Sequence, residues 1–302
     1  MLINNLFIIY TLGSFFFTIL LIKILTSNVK NIELIDSPGK HKIHYKAIPV
    51  IGGLSVFISF LFFFGIYLYL NFPIIINNSS LIYVIISTFI IFLIGLYDDS
   101  KGLSTSKKII FQFIASLFIV YGLGMQGLLV FDFINSYYLN LIILFIFIGG
   151  ITNSINLIDG IDCLAGNLSI MIIFSFIVLN MILGFQGEFN HLLLVILGSL
   201  VAFITYNRML ERVFLGDSGS LFLGWTFSTI SLLYIKYSVS SSPGLLPLII
   251  LGIPASDVLF VMKERFFSEK KISLLDRIKL MFKPDNLHIH HLFIKSGYST
   301  TQ

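Results

Sequence analysis

Two adjacent carboxylates, Asp98 and Asp99, stand at the end of one hydrophobic stretch. A third, Asp217, sits in the string Gly216-Asp217-Ser218-Gly219-Ser220 at the start of another. Paired carboxylates at a membrane boundary are costly to desolvate, so they require a cation, a basic partner or water. A glycine-flanked aspartate at a helix start places a carboxylate beside exposed backbone N–H groups, which together with the helix dipole attract phosphate. Carboxylate plus phosphate oxygen is the ligand set that suits Mg²⁺, because that ion keeps several waters and takes oxygen donors from its substrate. These residue types point to phosphate chemistry assisted by a divalent ion. Two plainer readings stand beside it: a solvated loop pair for Asp98-Asp99, and a serine nucleophile at Ser218. The second has the right glycine spacing but needs an α/β sheet around it, and no such sheet is indicated.

Asn153, Asn156, Asp159 and Asp162 are spaced by three. A helix would stack them on one face. A polar stripe at the end of a membrane helix faces a cavity or a partner rather than lipid. Its amides and carboxylates suit a base, a ribose or a metal; helix–helix hydrogen bonding is the alternative. His288, His290 and His291 follow Pro284-Asp285. Three histidines in four residues suggest zinc, yet structural zinc wants further Cys or His. Cys163, His41, His44 and His191 do not supply a ligand spacing, so contact with phosphate or sugar is preferred. Lys42, His44 and Lys108 could neutralise a diphosphate as point charges.

These groups fall in five short segments: Asp36–Gly53, Leu96–Lys108, Asn153–Asp162, Phe214–Ser220 and Lys283–His291. The segments occupy alternate gaps between hydrophobic stretches. A spanning helix needs about 20 apolar residues, and nine stretches qualify: Leu6–Leu25, Pro49–Leu70, Leu81–Leu96, Ile109–Leu129, Leu139–Ile151, Leu164–Leu183, His191–Tyr206, Leu221–Tyr237 and Leu245–Met262. The third, fifth and seventh are short as drawn and are expected to extend into flanking polar residues. A chain changes sides at each crossing, so alternate gaps share a side and the five segments can form one site.

Charge sets the orientation. Gaps after odd-numbered spans hold nearly all the basic residues, among them Lys30, Lys46, Lys101, Lys107, Arg208, Arg212 and Arg277; Lys236 is the exception. The positive-inside rule places those gaps in the cytoplasm. The expected fold is all-α: a polytopic membrane helical bundle in a single domain, residues 1–302, with cytoplasmic loops 26–48, 97–108, 152–163, 207–220 and 263–302. No basic residue precedes Lys23, so the first stretch reads as an uncleaved span. Segment Lys263–Pro284 mixes apolar and basic residues and reads either as an amphipathic helix on the inner leaflet or as an ordinary loop helix.

Composition agrees. The 302 residues are 57% hydrophobic and only 11% charged, against roughly 25% in soluble domains, and the mean hydropathy is +0.97. The formal net charge of +4 is read as loop charge beside a membrane, not as a nucleic-acid surface. Cys163 is the single cysteine, so an internal disulfide is excluded.

Taken in order, the five segments resemble the motifs of the polyprenyl-phosphate N-acetylhexosamine-1-phosphate transferases, the membrane family that includes phospho-N-acetylmuramoyl-pentapeptide transferase. The match runs through Asp36-Ser-Pro-Gly-Lys-His-Lys42-Ile-His44 with Pro49 and Gly52-Gly53. It continues through Gly95-Leu-Tyr-Asp98-Asp99 to Lys108 and Gln112, then Asn153-x-x-Asn156-x-x-Asp159-Gly160-x-Asp162. It ends with Phe214-Leu-Gly216-Asp217-Ser-Gly219-Ser and Pro284-Asp285-x-x-His288-x-His290-His291. The last two segments favour the hexosamine branch.

The resemblance implies transfer of a sugar-1-phosphate from a UDP-N-acetylhexosamine to a polyprenyl phosphate, with release of UMP. This would be the first step of cell-envelope polysaccharide assembly at a bacterial inner membrane. It implies Mg²⁺ as cofactor, with Mn²⁺ as an alternative, held by Asp217 with Asp98 and Asp99. Asp98 would also serve the attacking lipid phosphate, and Phe214 would lie by the uracil. Asp159, Asp162 and His290 or His291 would line the nucleotide pocket, with Lys42, His44, Lys108, Asn153, Asn156 and His288 also binding substrate. Partners would be the two substrates and the bilayer, with no nucleic acid and with a homodimer left open.

Two departures bear on this. Cys163 stands where the family usually has glycine, and the sequence ends at Gln302 where the family has a further span. Asp257 also resembles a family position but reads as a helix-end ion pair with Arg265. A transporter and an inactive, truncated relative remain the alternatives. A transporter would place ionisable groups near the bilayer midplane.

Overall fold

A computed structural model describes residues 2–29, 33–37, 47–70, 79–123, 136–160, 163–183, 188–237, 249–268 and 273. The apolar runs fold as helices because a backbone in lipid must satisfy its hydrogen bonds within the segment. In chain order the elements are α1 (Leu2–Ser27), β1 (Ile35–Asp36), β2 (Ile48–Pro49), α2 (Gly52–Leu70), α3 (Ser79–Lys101), α4 (Thr105–Gly122) and α5 (Tyr137–Ile158). There follow α6 (Leu164–Leu183), α7 (Glu188–Met209), α8 (Gly216–Tyr237) and α9 (Gly252–Ser268).

Seven of these helices are long and apolar enough to cross a membrane: α1, α2, α3, α5, α6, α7 and α8. Seven of the nine expected spans have such a helix among the described residues. The fourth expected span corresponds to α4, whose 18 residues include Lys107, Lys108 and Gln112. The ninth corresponds to α9, whose 17 residues include Asp257, Lys263, Glu264 and Arg265. In both, polar residues from the flanking segment are part of the helix and lower its hydropathy. Asp257 itself is buried, and α9 packs against α5. The expected inner-leaflet helix is described only to Ser268.

The third, fifth and seventh stretches do extend into polar flanks. Helix α3 runs on through Asp98 and Asp99 to Lys101, and α5 through Asn153 and Asn156. The eighth begins earlier than expected, at Gly216, so Asp217 lies in its first turn.

Helix α8 is the centre of the bundle. It packs against α2, α3 and α5, and Phe222, Trp225 and Phe227 on it are fully buried. It is the least hydropathic of the seven spans, yet the most enclosed. Because it faces protein rather than lipid, it can carry the small polar residues Ser220, Ser228 and Ser231, whose hydroxyls donate to backbone carbonyls of the preceding turn. Helix α1 is the opposite case: Ile8, Leu12, Phe16, Leu20 and Ile24, four residues apart, are all exposed. That spacing makes one lipid-facing stripe.

The antiparallel pair β1–β2 joins Ile35 to Pro49 and Asp36 to Ile48. The segment before α8 pairs alongside it. Phe214 N–H donates to the Pro49 carbonyl at 2.8 Å, Gly52 N–H to the Phe214 carbonyl at 2.9 Å and Gly53 N–H to the Leu215 carbonyl at 2.8 Å. These bonds fix the start of α2 against the start of α8.

Candidate active site

The C-terminal turn of α3 carries two carboxylates that face different partners. Gly102, at φ +75°, ends the helix, and its N–H donates to the Asp98 carbonyl at 2.9 Å. A left-handed glycine just past the last turn is a common helix stop. The following Leu103 N–H donates to Asp98 Oδ1, so the Asp98 side chain is braced by the turn behind it.

Asp99 reaches the start of α8 instead. The first N–H groups of a helix have no partner within it. Asp99 supplies one from a neighbouring helix: Asp217 N–H donates to Oδ1 at 2.7 Å and Ser218 N–H to Oδ2 at 2.9 Å. Two glycines make this approach feasible. Gly216 adopts φ +74°, where a side chain is strained, and a Cβ there would lie 2.7 Å from an Asp99 oxygen. Gly95, one turn before Asp99, faces the backbone of α8; a Cβ on it would meet the Asp217 carbonyl oxygen at 2.5 Å.

Lys108, in the first turn of α4, completes the cluster. Its ammonium donates to Asp98 Oδ2 and to Asp217 Oδ2. One cation therefore bridges carboxylates from α3 and α8. Burial opposes the charged form of Lys108, but the carboxylates, Asp217 foremost, outweigh it and hold its pKa above the ordinary lysine value. The side chains of Lys108, Asp98 and Asp217 are 18%, 13% and 27% exposed. They are shielded enough for strong electrostatics yet open to a ligand.

The asparagines of α5 make interhelical bonds. Asn153 Nδ2 donates to Gln112 Oε1 at 2.7 Å and Gln112 Nε2 donates back to Asn153 Oδ1 at 3.2 Å. Asn156 Nδ2 donates to Ser220 Oγ at 2.9 Å. The expected single stripe does not extend further. Helix α5 ends at Ile158, with Asp159 as its cap, half-buried just beyond the helix. Asn153 and Asn156, three residues apart, point to different neighbours, α4 and α8. The sequence did not assign Gln112 a task; a lone amide in an apolar stretch, four residues past Lys108, was the available signal.

Phe214 is half-buried, its backbone held by Pro49 and Gly52. The Arg212 guanidinium lies 6.0 Å from the centre of its ring, within the range of a cation–π contact. Of the candidate residues, the structure brings together Asp98, Asp99, Lys108, Asn153, Asn156 and Asp217 at one end of the bundle, with Gln112 and Ser220. Lys42, His44, Asp162, His288, His290 and His291 lie outside the described residues.

Among the described residues, no group of three or more His, Cys, Asp or Glu is arranged to hold a metal ion. Both oxygens of Asp99 accept backbone N–H groups, which gives it a capping task. Asp98 and Asp217 instead converge on one cationic centre. Two carboxylate oxygens suit an Mg²⁺ ion that completes its shell with water and substrate phosphate.

The pattern of glycosyl transferase family 4 matches residues 81–235, a range that holds Asp98, Asp99, Lys108, Gln112, Asn153, Asn156, Asp217 and Ser220. A protein of Bacillus subtilis (strain 168), named probable undecaprenyl-phosphate N-acetylglucosaminyl 1-phosphate transferase, is 33% identical over 297 residues, covering 95% of this chain and 78% of the relative. The undecaprenyl-phosphate alpha-N-acetylglucosaminyl 1-phosphate transferase of Escherichia coli (strain K12) is 29% identical over 307 residues, covering 95% and 76%. The protein of the same name from Thermotoga maritima is 26% identical over 280 residues, covering 93% and 78%.

Proposed function

The chain belongs to glycosyl transferase family 4, and from that premise we propose that it transfers an N-acetylhexosamine-1-phosphate from a UDP-sugar to undecaprenyl phosphate and releases UMP. The observation that carries the reading is the convergence of Asp98 and Asp217, from two helices, on one cationic centre at the start of α8.

An oxygen of the acceptor phosphate attacks the phosphorus that bears the sugar. The bond from that phosphorus to the UMP oxygen breaks, and UMP leaves with the electron pair. The acceptor needs little deprotonation, since a phosphomonoester has a second pKa of about 6. The work of the site is positioning and charge neutralisation. Asp98 and Asp217 would hold Mg²⁺, which when bound neutralises charge on the diphosphate. Asp99 keeps the start of α8 in place, and Lys108, which gives up those oxygens when the ion binds, would turn its positive charge to the diphosphate. Phe214 offers a ring face for the uracil. By resemblance, Asp159, Asp162 and His290 or His291 are assigned to the nucleotide, and Lys42, His44 and His288 to further substrate contact. The distribution of Lys and Arg along the sequence supports a cytoplasmic position for this end of the bundle, where a soluble donor would meet a lipid acceptor.

A transporter is less well supported. Asp98 and Asp99 lie in the last turn of α3, Lys108 and Asp217 in the first turns of α4 and α8. A conducting carboxylate belongs nearer mid-helix.

Purified protein with Mg²⁺, undecaprenyl phosphate and UDP-[³H]N-acetylglucosamine is expected to yield labelled lipid and one UMP per transfer, and Asp217→Ala to yield neither. No product from any UDP-N-acetylhexosamine would overturn the reading.

A further inference from the structure

Helix α4 packs on α3 and α5 through Ala115, Ser116, Ile119 and Val120 in its later turns, whereas over residues 105–112 Lys108 and Gln112 alone are not exposed. Its outer face is apolar and exposed, at Ile109, Ile110, Phe113, Ile114 and Leu117. Its N-cap residue, Ser104, makes no side-chain capping bond. An apolar face in lipid does not fix the rotation of a helix, because lipid accepts any rotation that keeps it apolar. Yet Lys108 must face inward to meet Asp98 and Asp217.

Gln112 is 3% exposed and lies four residues after Lys108, on the same face of α4. Its side-chain amide is used in both directions with Asn153, as donor at 3.2 Å and as acceptor at 2.7 Å. Asn153 is itself tied to its own helix, through Nδ2 to the Gly149 carbonyl at 2.8 Å. A two-bond amide pair defines both the rotation and the height of one helix against the next. A single apolar contact does neither.

We propose that Gln112 is a positioning residue of this site: its reciprocal pair with Asn153 sets the rotation of α4 against α5 and so delivers Lys108 to the Asp98–Asp217 carboxylates. The inference rests on the transferase reading for its kinetic consequence and on geometry alone for its structural one. A misplacement of about 1 Å can cost on the order of a hundredfold in rate, so the effect belongs in kcat more than in donor KM.

The test uses the full-length protein in detergent, with Gln112→Leu, Lys108→Met, their combination, and the exchange variant Gln112→Asn with Asn153→Gln. The exchange keeps an amide pair of the same total length. Gln112→Leu is expected to lower kcat roughly tenfold or more while donor KM stays within about twofold, and the exchange variant to recover most of the loss. In the Lys108→Met background, Gln112→Leu should have little further effect on kcat and a smaller effect on Tm than in the wild type, because the two changes disable one device. Additive effects of the two substitutions on Tm would overturn the proposal. So would full kcat in Gln112→Leu, or an exchange variant no better than it. Should Gln112→Leu fail to fold, the exchange variant decides: near wild-type kcat supports the proposal, and the loss of a folded protein's kcat overturns it. A wild-type protein that makes no product would sink the transferase reading, and the Tm comparison would still decide the role of Gln112.

Discussion

Asp99 accepts a hydrogen bond from the backbone N–H of Asp217, at 2.7 Å, across two helices that are far apart in sequence. One acidic residue thus positions another. The cap holds the first turn of α8 at the level where the Asp217 side chain meets Lys108. The division of labour in the Asp98-Asp99 pair follows from helix geometry. Neighbouring residues on a helix face different directions, so Asp98 turns to the ionic cluster and Asp99 to the helix start.

Asp99→Ala is therefore expected to act through the cap. Loss of a helix cap costs about 0.5–2 kcal/mol, and the freed N–H groups let Asp217 shift, so transferase activity should fall further than the folded fraction does. Asp99→Asn keeps one carbonyl oxygen as acceptor and should recover part of both losses. Thermal unfolding and initial rates on the same preparations check this; equal loss in Ala and Asn variants would mean the charge, not the cap, is what counts.

Gly95→Ala should be much worse than its size suggests. The added Cβ would sit 2.5 Å from the Asp217 carbonyl oxygen and 2.6 Å from Ser218 Cα. Both are backbone atoms of a buried helix start and cannot rotate aside. Overpacking of a tight core costs about 1–3 kcal/mol, and here it falls on the residue that carries the key carboxylate, so activity should be lost even in the folded fraction. Gly65, with nothing within 4 Å of its Cβ position, is the control: Gly65→Ala should leave both yield and rate unchanged. The comparison is read by detergent-stable yield and by transfer rate.

The helices were legible from the sequence because apolar stretches in lipid leave the backbone no other way to pair its own polar groups. Where the helices end was less legible. Asp98, Asp99, Asn153, Asn156 and Asp217 are polar, yet the helix continues through them because each finds a partner on another helix. Those partners are tertiary and leave no local mark. The same holds for the asparagine stripe: a spacing of three suggested one surface, but the helix stops at Ile158 and its two asparagines serve two different neighbours. Which residues gather was readable from alternate gaps; which of them cap, bridge or brace was not.

Cys163 shows a mark that was legible in type but not in cause. It stands where a glycine is usual in the family it resembles, and the structure gives it φ +59°. A left-handed conformation costs a residue with a Cβ about 1–2 kcal/mol. Cys163 is buried, so ordinary packing would rank substitutions by size, with alanine better than glycine. The backbone reverses that order. Cys163→Gly should be at least as stable as Cys163→Ala, and Cys163→Val, branched at Cβ, the least stable of the three. Tm values for the three variants check the ranking; alanine clearly above glycine would contradict it.

Lys108 and a divalent ion draw on the same oxygens, Asp98 Oδ2 and Asp217 Oδ2. Two cations cannot share that space, so the ammonium and the metal compete. Removing one partner of a buried ionic cluster leaves charge uncompensated and typically costs about 3–5 kcal/mol. The cost should be smaller here because the site is partly open to water. Lys108→Met is therefore expected to lower Tm in EDTA, where the two carboxylates repel each other. Adding Mn²⁺ should then raise Tm more in the variant than in the wild type, because the ion meets no ammonium and relieves a larger repulsion. Its affinity for the variant should be higher, roughly tenfold by Coulomb's law at an intermediate dielectric. The transfer rate at saturating metal should still fall, since a positive charge near the diphosphate has been lost. Thermal unfolding with and without Mn²⁺, together with a binding isotherm, reads each part. The same Mn²⁺-induced shift in both proteins would mean that Lys108 and the metal occupy separate places.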